Sequence, residues 1–287
     1  MGSYFKLHVI PPPRPLGWES PRSLLLDTLW HHVLQDQAPI GHFYIEFGSD
    51  APWKNGVSRV LTGMSRKNAN ASTLKVMRER VGLGTFFYDF PGKLDNGLKA
   101  MRELERAGKS NRLKTLRVDL DAGRAAVLFE ELDEWIRHGS HCHYGGGHRI
   151  LLGEGSGCAE MGAHFLNLAL GLQATPKEWI RSVYAPLSLV GGSRTGRKVG
   201  LSRVLFEGSA WARDEKEGML YATPDMELAW KWLERFAPGK TEAAISPAQV
   251  TWSAEPVRRI EFAALYPQTD PVELARVWDE VRIDRDV

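Results

Sequence analysis

The chain has 287 residues, 43% of them apolar and 25% charged, with ten tryptophans. Such a composition excludes a disordered chain and is long enough to bury a core without disulfides or a metal. Lys and Arg number 37 against 35 Asp and Glu, a net charge of +2, which excludes a general polyanion binder and leaves nucleic acid out of the expected partners.

Residues 4–10 alternate Phe5, Leu7 and Val9 with Lys6 and His8, which predicts a strand ended by Pro11, Pro12 and Pro13. Residues 23–34 read as a helix. Residues 42–47 (HFYIEF) and 57–64 (VSRVLTGM) read as two strands of an antiparallel hairpin with a longer loop. Residues 85–90 (TFFYDF) read as a third strand, a helix fills part of 94–107, and 113–120 alternates as a fourth strand. Asp121 is placed to cap a helix in which Ala125, Leu128, Leu132, Trp135 and Ile136 recur at helical spacing. A glycine-rich loop over 139–157 leads into a helix from Cys158 carrying Met161, Phe165, Leu168 and Ala169. Beyond 186 the pattern changes. A basic loop at 191–198 precedes a strand over 199–206, a helix over 224–236 with Trp230 and Trp232, a strand over 257–265 and a terminal helix over 271–281. The expected fold class is α+β, an antiparallel sheet packed against helices. A catalytic domain over 1–185 is followed by an extension over 186–287 that can share the same sheet.

Two cysteines, Cys142 and Cys158, make no disulfide framework, so two free thiols in a reducing compartment are expected. The first ten residues lack a signal-peptide core, and no run approaches the ~18 apolar residues of a membrane span. The expected location is therefore cytoplasmic, or exported without a cleavable signal peptide, with no stable membrane anchor.

Two positions carry chemistry. Cys158 follows Gly153-Glu-Gly-Ser-Gly157 and opens an apolar helix. A helix N-terminus favours thiolate through its unpaired N–H groups and dipole, and the Cys158 N–H can serve as an oxyanion donor. His42 opens a strand after Gly41 and, brought beside the thiol, can take its proton. Glu46 shares the strand face of His42 but lies about 13 Å along it, so it is expected to line a groove without touching His42. His164, six residues after Cys158, points to another side of the helix and is set aside as a catalytic partner. A second cluster, His138, His141, Cys142, His143 and His148, has ligand types suited to zinc but matches no common zinc spacing.

The order GHFYIEFG, VSRVLTGM, LRVDLDAGRAAVLFEELDEWI, HYGGGHRILLGEGSG and CAEMGAHFLNLAL over residues 38–172 resembles the circularly permuted branch of the NlpC-type papain-like superfamily, which includes lecithin:retinol acyltransferase-like proteins. That resemblance implies a permuted papain-like core, with Cys158 as nucleophile and His42 as general base. A third residue on the next strand, Thr62 with Ser58 second, would orient the imidazole. It also implies that Tyr144, His148 and Gly157 line the substrate approach. The family's Asn before the cysteine is replaced here by Gly157.

The expected function is a cysteine-dependent hydrolase or acyltransferase acting on an amide or ester through a Cys-His dyad and an acyl-enzyme, with a peptide-like or acyl substrate, a peptide or peptidoglycan-like one favoured, and no cofactor. A protein inhibitor or delivery partner suits such a chain if it is an effector or toxin. Two alternatives compete: an inactive interaction domain of the same fold, and a zinc protein built on the 138–148 cluster.

Overall fold

The computed structural model describes residues 2–34, 41–68, 77–146, 154–171, 175–245 and 269–283. Its main sheet is built on β1 (Tyr4–Ile10), which pairs antiparallel with β2 (His42–Gly48) on one side and with β6 (Lys114–Asp119) on the other. β3 (Arg59–Thr62) extends the sheet beyond β2, and β10 (Glu242–Ala244) adds a parallel edge beside β6. A second sheet has the order β4 (Met64–Arg66), β5 (Phe90–Leu94), β7 (His143–Tyr144). A two-stranded sheet joins β8 (Ile180–Pro186) to β9 (Gly218–Pro224). The fold is α+β, with antiparallel sheets against helices.

The register sorts the side chains. Leu7 faces Ile45 and Leu116, and this face is buried with Phe5, Phe43, Phe47 and Val118. Helices α3 (Ala122–Arg137), α4 (Cys158–Leu170), α6 (Met226–Phe236) and α7 (Pro271–Val281) supply the rest of that core. On the opposite face Tyr44 and Leu61 pack against α2 (Gly97–Lys109) through Ala100 and Met101. The central strands are therefore covered on both sides, which is why β2 is buried along its whole length. Asp121 caps α3 by accepting from the Arg124 N–H at 2.7 Å, as its position in the sequence predicts. Beyond residue 186, Trp232, Leu233, Val277, Trp278 and Val281 lie in the same core as the sheet.

Three sequence expectations are corrected. Residues 57–64 do not form one strand: the chain breaks at Gly63, and β3 and β4 belong to different sheets. Residues 85–87 end a 3-10 turn, Leu83–Phe87, entered through Gly82 at φ 53°, and the strand begins only at Phe90. Residues 199–206 form α5 (Leu201–Glu207), because the spacing of Leu201, Val204 and Leu205 suits a helix that buries Val204. The expected strand over 257–265 lies outside the described residues. No helix among the described residues is long and apolar enough to cross a membrane.

Candidate active site

Cys158 is the first residue of α4. Gly157 is the N-cap, extended at φ −78° and ψ 173°, and supplies no side-chain cap to the helix. The first N–H groups of α4 are thus left without an intrahelical acceptor at the end where the thiol sits. The helix lies close on the sheet because Gly162 has no side chain. A Cβ there would come within 2.6 Å of Phe43 and 2.9 Å of Leu7. This close packing brings the N-terminus of α4 to the start of β2, where His42 stands. Both residues are buried, Cys158 at 3% exposure and His42 at 9%.

The thiol and the imidazole line the same cavity, and each shifts the other's titration. Burial alone raises the Cys158 pKa, but the facing His42 charge and hydrogen bond, with the Phe43 N–H, outweigh it and bring the thiol below its ordinary 9.0. Burial likewise pushes His42 down, yet Cys158 and Asp95 together raise it to about 10. Each charge thus favours the other: the imidazolium lowers the thiol, and the thiolate raises the imidazole.

Asp95 is the residue that sequence reasoning missed. It follows β5, is 1% exposed, and places Oδ2 3.4 Å from Nε2 of His42. This is an ion-pair separation, longer than a closed hydrogen bond. Ser65 donates its hydroxyl to the same oxygen at 2.5 Å, and Lys99 meets Oδ1 at 2.7 Å. Burial raises the Asp95 carboxyl, but the nearby His42 imidazole and the Lys99 ammonium hold it far below the usual carboxylate range. In the sequence, Asp95 sits between Pro91-Gly92, which disguises a strand, and the helix cap Asn96. The one signal was a carboxylate immediately after a strand end.

Thr62 does not orient His42. Its buried hydroxyl donates to the main-chain carbonyl of Asp95 at 2.8 Å, so it supports the carboxylate's backbone. Glu46 does not line the groove either. It accepts from Tyr4 at 2.7 Å, meets His8 at 3.0 Å and pairs with Arg59 at 2.8 Å, an interior network on the α2 face of the sheet. A period-two argument places Glu46 on the correct face but cannot reveal partners from β1 and β3.

Tyr144 does reach the thiol: its hydroxyl is 3.9 Å from Sγ. It arrives through β7, where Phe90 pairs with Tyr144. Gly157 lines the cavity at the helix start. His148 lies outside the described residues. His164 is buried against Glu131 at 2.7 Å, away from the thiol. Among the described residues no three His, Cys, Asp or Glu side chains converge as a metal site. Of the histidine-rich cluster, His143 is held by Asp89 at 2.8 Å, and burial lowers His141 to about 4.

Above Cys158 opens a cavity of about 480 Å³. Leu24 and Leu25 of α1 (Pro21–Leu34), Met64, Phe86, Phe90, Val204 and Tyr221 make its walls largely apolar. Glu160 stands near the thiol and accepts the Thr223 hydroxyl at 2.5 Å. The arrangement offers a thiol lowered by an imidazole, a carboxylate beside that imidazole, and the N-terminus of a helix at one end of an apolar chamber. Compared with protein-family models, curated proteins and solved structures, the chain has no match in any of the three.

Proposed function

We propose that the chain is a cysteine-dependent hydrolase or acyltransferase that works through Cys158, His42 and Asp95. The observation that carries this reading is the placement of Cys158 and His42 in one cavity with the Asp95 carboxylate 3.4 Å from the ring. The order of His strand before Cys helix supports a permuted papain-like core. An amide in a peptide-like substrate is favoured over an ester.

In this mechanism the Cys158 thiolate attacks the substrate carbonyl, and the carbonyl electron pair moves to oxygen. Free N–H groups at the start of α4 stabilise that oxyanion. As the tetrahedral species collapses, the His42 imidazolium donates its proton to the departing nitrogen or oxygen and a thioester remains. Neutral His42 then removes a proton from water, or from an acceptor nucleophile, which attacks the thioester and releases the acyl group. Asp95 holds the ring and stabilises its cationic form throughout.

The test is acyl-enzyme trapping with a p-nitrophenyl ester, read by intact and peptide mass spectrometry. An adduct on Cys158 is expected, absent in Cys158→Ala and formed about a hundredfold more slowly in His42→Ala. Acylation that ignores His42, or none on Cys158 at any pH, overturns the proposal.

A further inference from the structure

Arg66 ends β4 and points into the same cavity. Its guanidinium carbon lies 4.1 Å from the Phe90 ring centre and 5.6 Å from that of Tyr144. The Tyr144 hydroxyl in turn touches Cys158 Sγ, so a single aromatic ring separates this cation from the nucleophile. The rings stabilise the positive charge, but they satisfy none of its five N–H donors.

Other partly buried arginines have an acceptor: Arg59 has Glu46, Arg137 has Asp133 and Arg181 has Asp225, while Arg22, Arg112 and Arg124 donate to main-chain carbonyls. Among the described residues no carboxylate lies within ion-pair distance of Arg66. The acids on the cavity wall are already engaged. Glu160 holds Thr223, Asp225 holds Arg181 and Glu227 holds Lys231. The Thr223 hydroxyl is neutral, so the Glu160 carboxylate stays charged beside the thiol, but it forms no ion pair with Arg66, and Lys93 of β5 lines the same cavity. A planar, pre-oriented guanidinium with free donors suits a bidentate oxyanion.

We propose that Arg66 sets the specificity of this site by binding a carboxylate or phosphate group on a substrate whose apolar part fills the cavity. The substrate class is then an acyl compound, amide-linked on the present reading, with an anionic group close to the scissile carbonyl. This rests on the thiol mechanism above, and the experiment separates the two.

The experiment measures the alkylation rate of Cys158 by matched reagents: N-iodoacetyl-β-alanine, N-iodoacetyl-aminoethylphosphonate and the neutral amide of the first. The quantity read is the anionic-to-neutral rate ratio, with glutathione as the free-thiol reference. The His42 imidazolium also attracts anions, so the share of Arg66 is the change between wild type and Arg66→Gln. The ratio is expected to fall by about tenfold in Arg66→Gln, the worth of one charge-assisted pair. Arg66→Lys, which keeps a charge and serves where the Gln variant unfolds, is expected to hold a ratio between the two. The reagent with the larger fall names the anion. A ratio in both variants within twofold of wild type, with alkylation still dependent on His42, overturns the role of Arg66 and leaves the thiol mechanism standing. Alkylation by the neutral amide that ignores His42 overturns the mechanism and this proposal with it.

Discussion

Asp95 Oδ2 lies 3.4 Å from Nε2 of His42, and two further side chains hold the carboxylate there, Ser65 and Lys99, while the nearby Tyr44 hydroxyl gives its proton to Glu103 at 2.5 Å. The carboxylate is almost fully buried, so its charge is tolerable only because donors surround it. It stands beside Nε2 of the imidazole, on a ring that also lines the cavity with Cys158. Orientation of the ring thus comes from the loop after β5.

Asp95→Asn keeps the shape and removes the charge. His42 then loses one of the two groups that raise it to about 10, and its pKa falls toward the ordinary 6.5. The alkaline limb of Cys158 acylation moves down with it, and the rate falls about a hundredfold. NMR titration of His42 together with the pH–rate profile checks this. Thr62→Val, which removes only the bond to the Asp95 carbonyl, is expected to cost about 1–3 kcal/mol of stability with a smaller change in rate.

The pH dependence of Cys158 alkylation has a defined sign. His42 lowers the thiol below 9.0, so the acid limb of the wild type falls under that value. In His42→Ala the main lowering influence is gone while burial and Glu160 still raise the thiol. The limb should then move to 9.0 or above. Peptide-resolved alkylation between pH 5 and 10 reads both limbs, with the exposed Cys142 as a control in the same chain. A limb that stays in place in the variant would break the link between the two residues.

Glu46 is a stability residue. Burial raises its carboxyl, but His8, Tyr4 and Arg59 hold it at about 2 against an ordinary 4.5. A depressed carboxyl contributes stability above pH 4.5, and that contribution is lost as pH falls toward 2. Glu46→Gln should lose about 3 kcal/mol near neutral pH and show a shallower fall of stability between pH 5 and 3. Urea unfolding across that range measures it. The Cys158 pH profile should be retained, which a groove-lining role for Glu46 would not allow.

Gly63→Ala probes the space beneath the imidazole. A Cβ at Gly63 would meet His42 Nε2 at 3.0 Å, the Phe43 carbonyl oxygen at 2.7 Å and the Tyr44 ring at 2.9 Å. The backbone and ring cannot yield cheaply, so about 1–3 kcal/mol of destabilisation is expected. The displaced ring should also lose its Asp95 contact, seen as a lower His42 pKa. Thermal unfolding and His42 titration test the two effects separately.

Much of the fold is legible along the chain because it rests on local periodicity. The alternation of Phe5, Leu7 and Val9 marks β1, the spacing from Ala125 to Ile136 marks α3, and Asp121 announces its start. Cys158 behind a run of glycines identifies itself as the first residue of a helix, and His42 as the first of a strand. Such features depend on residues a few positions apart, and the backbone geometry of helix and strand converts spacing directly into a face.

Tertiary structure alone decided the partners. Asp95 is 53 residues from His42 and is held near it by its N–H, which donates to the Gly63 carbonyl at 2.8 Å. Thr62 and Glu46 lie on elements read correctly as strands, yet their hydroxyl and carboxylate are committed to residues far along the chain. Arg66 faces a cavity whose walls come from distant segments. Periodicity says which side of an element a residue occupies. Which charges and hydroxyls meet there depends on packing between elements, because a buried polar group must find a donor or acceptor wherever the fold supplies one.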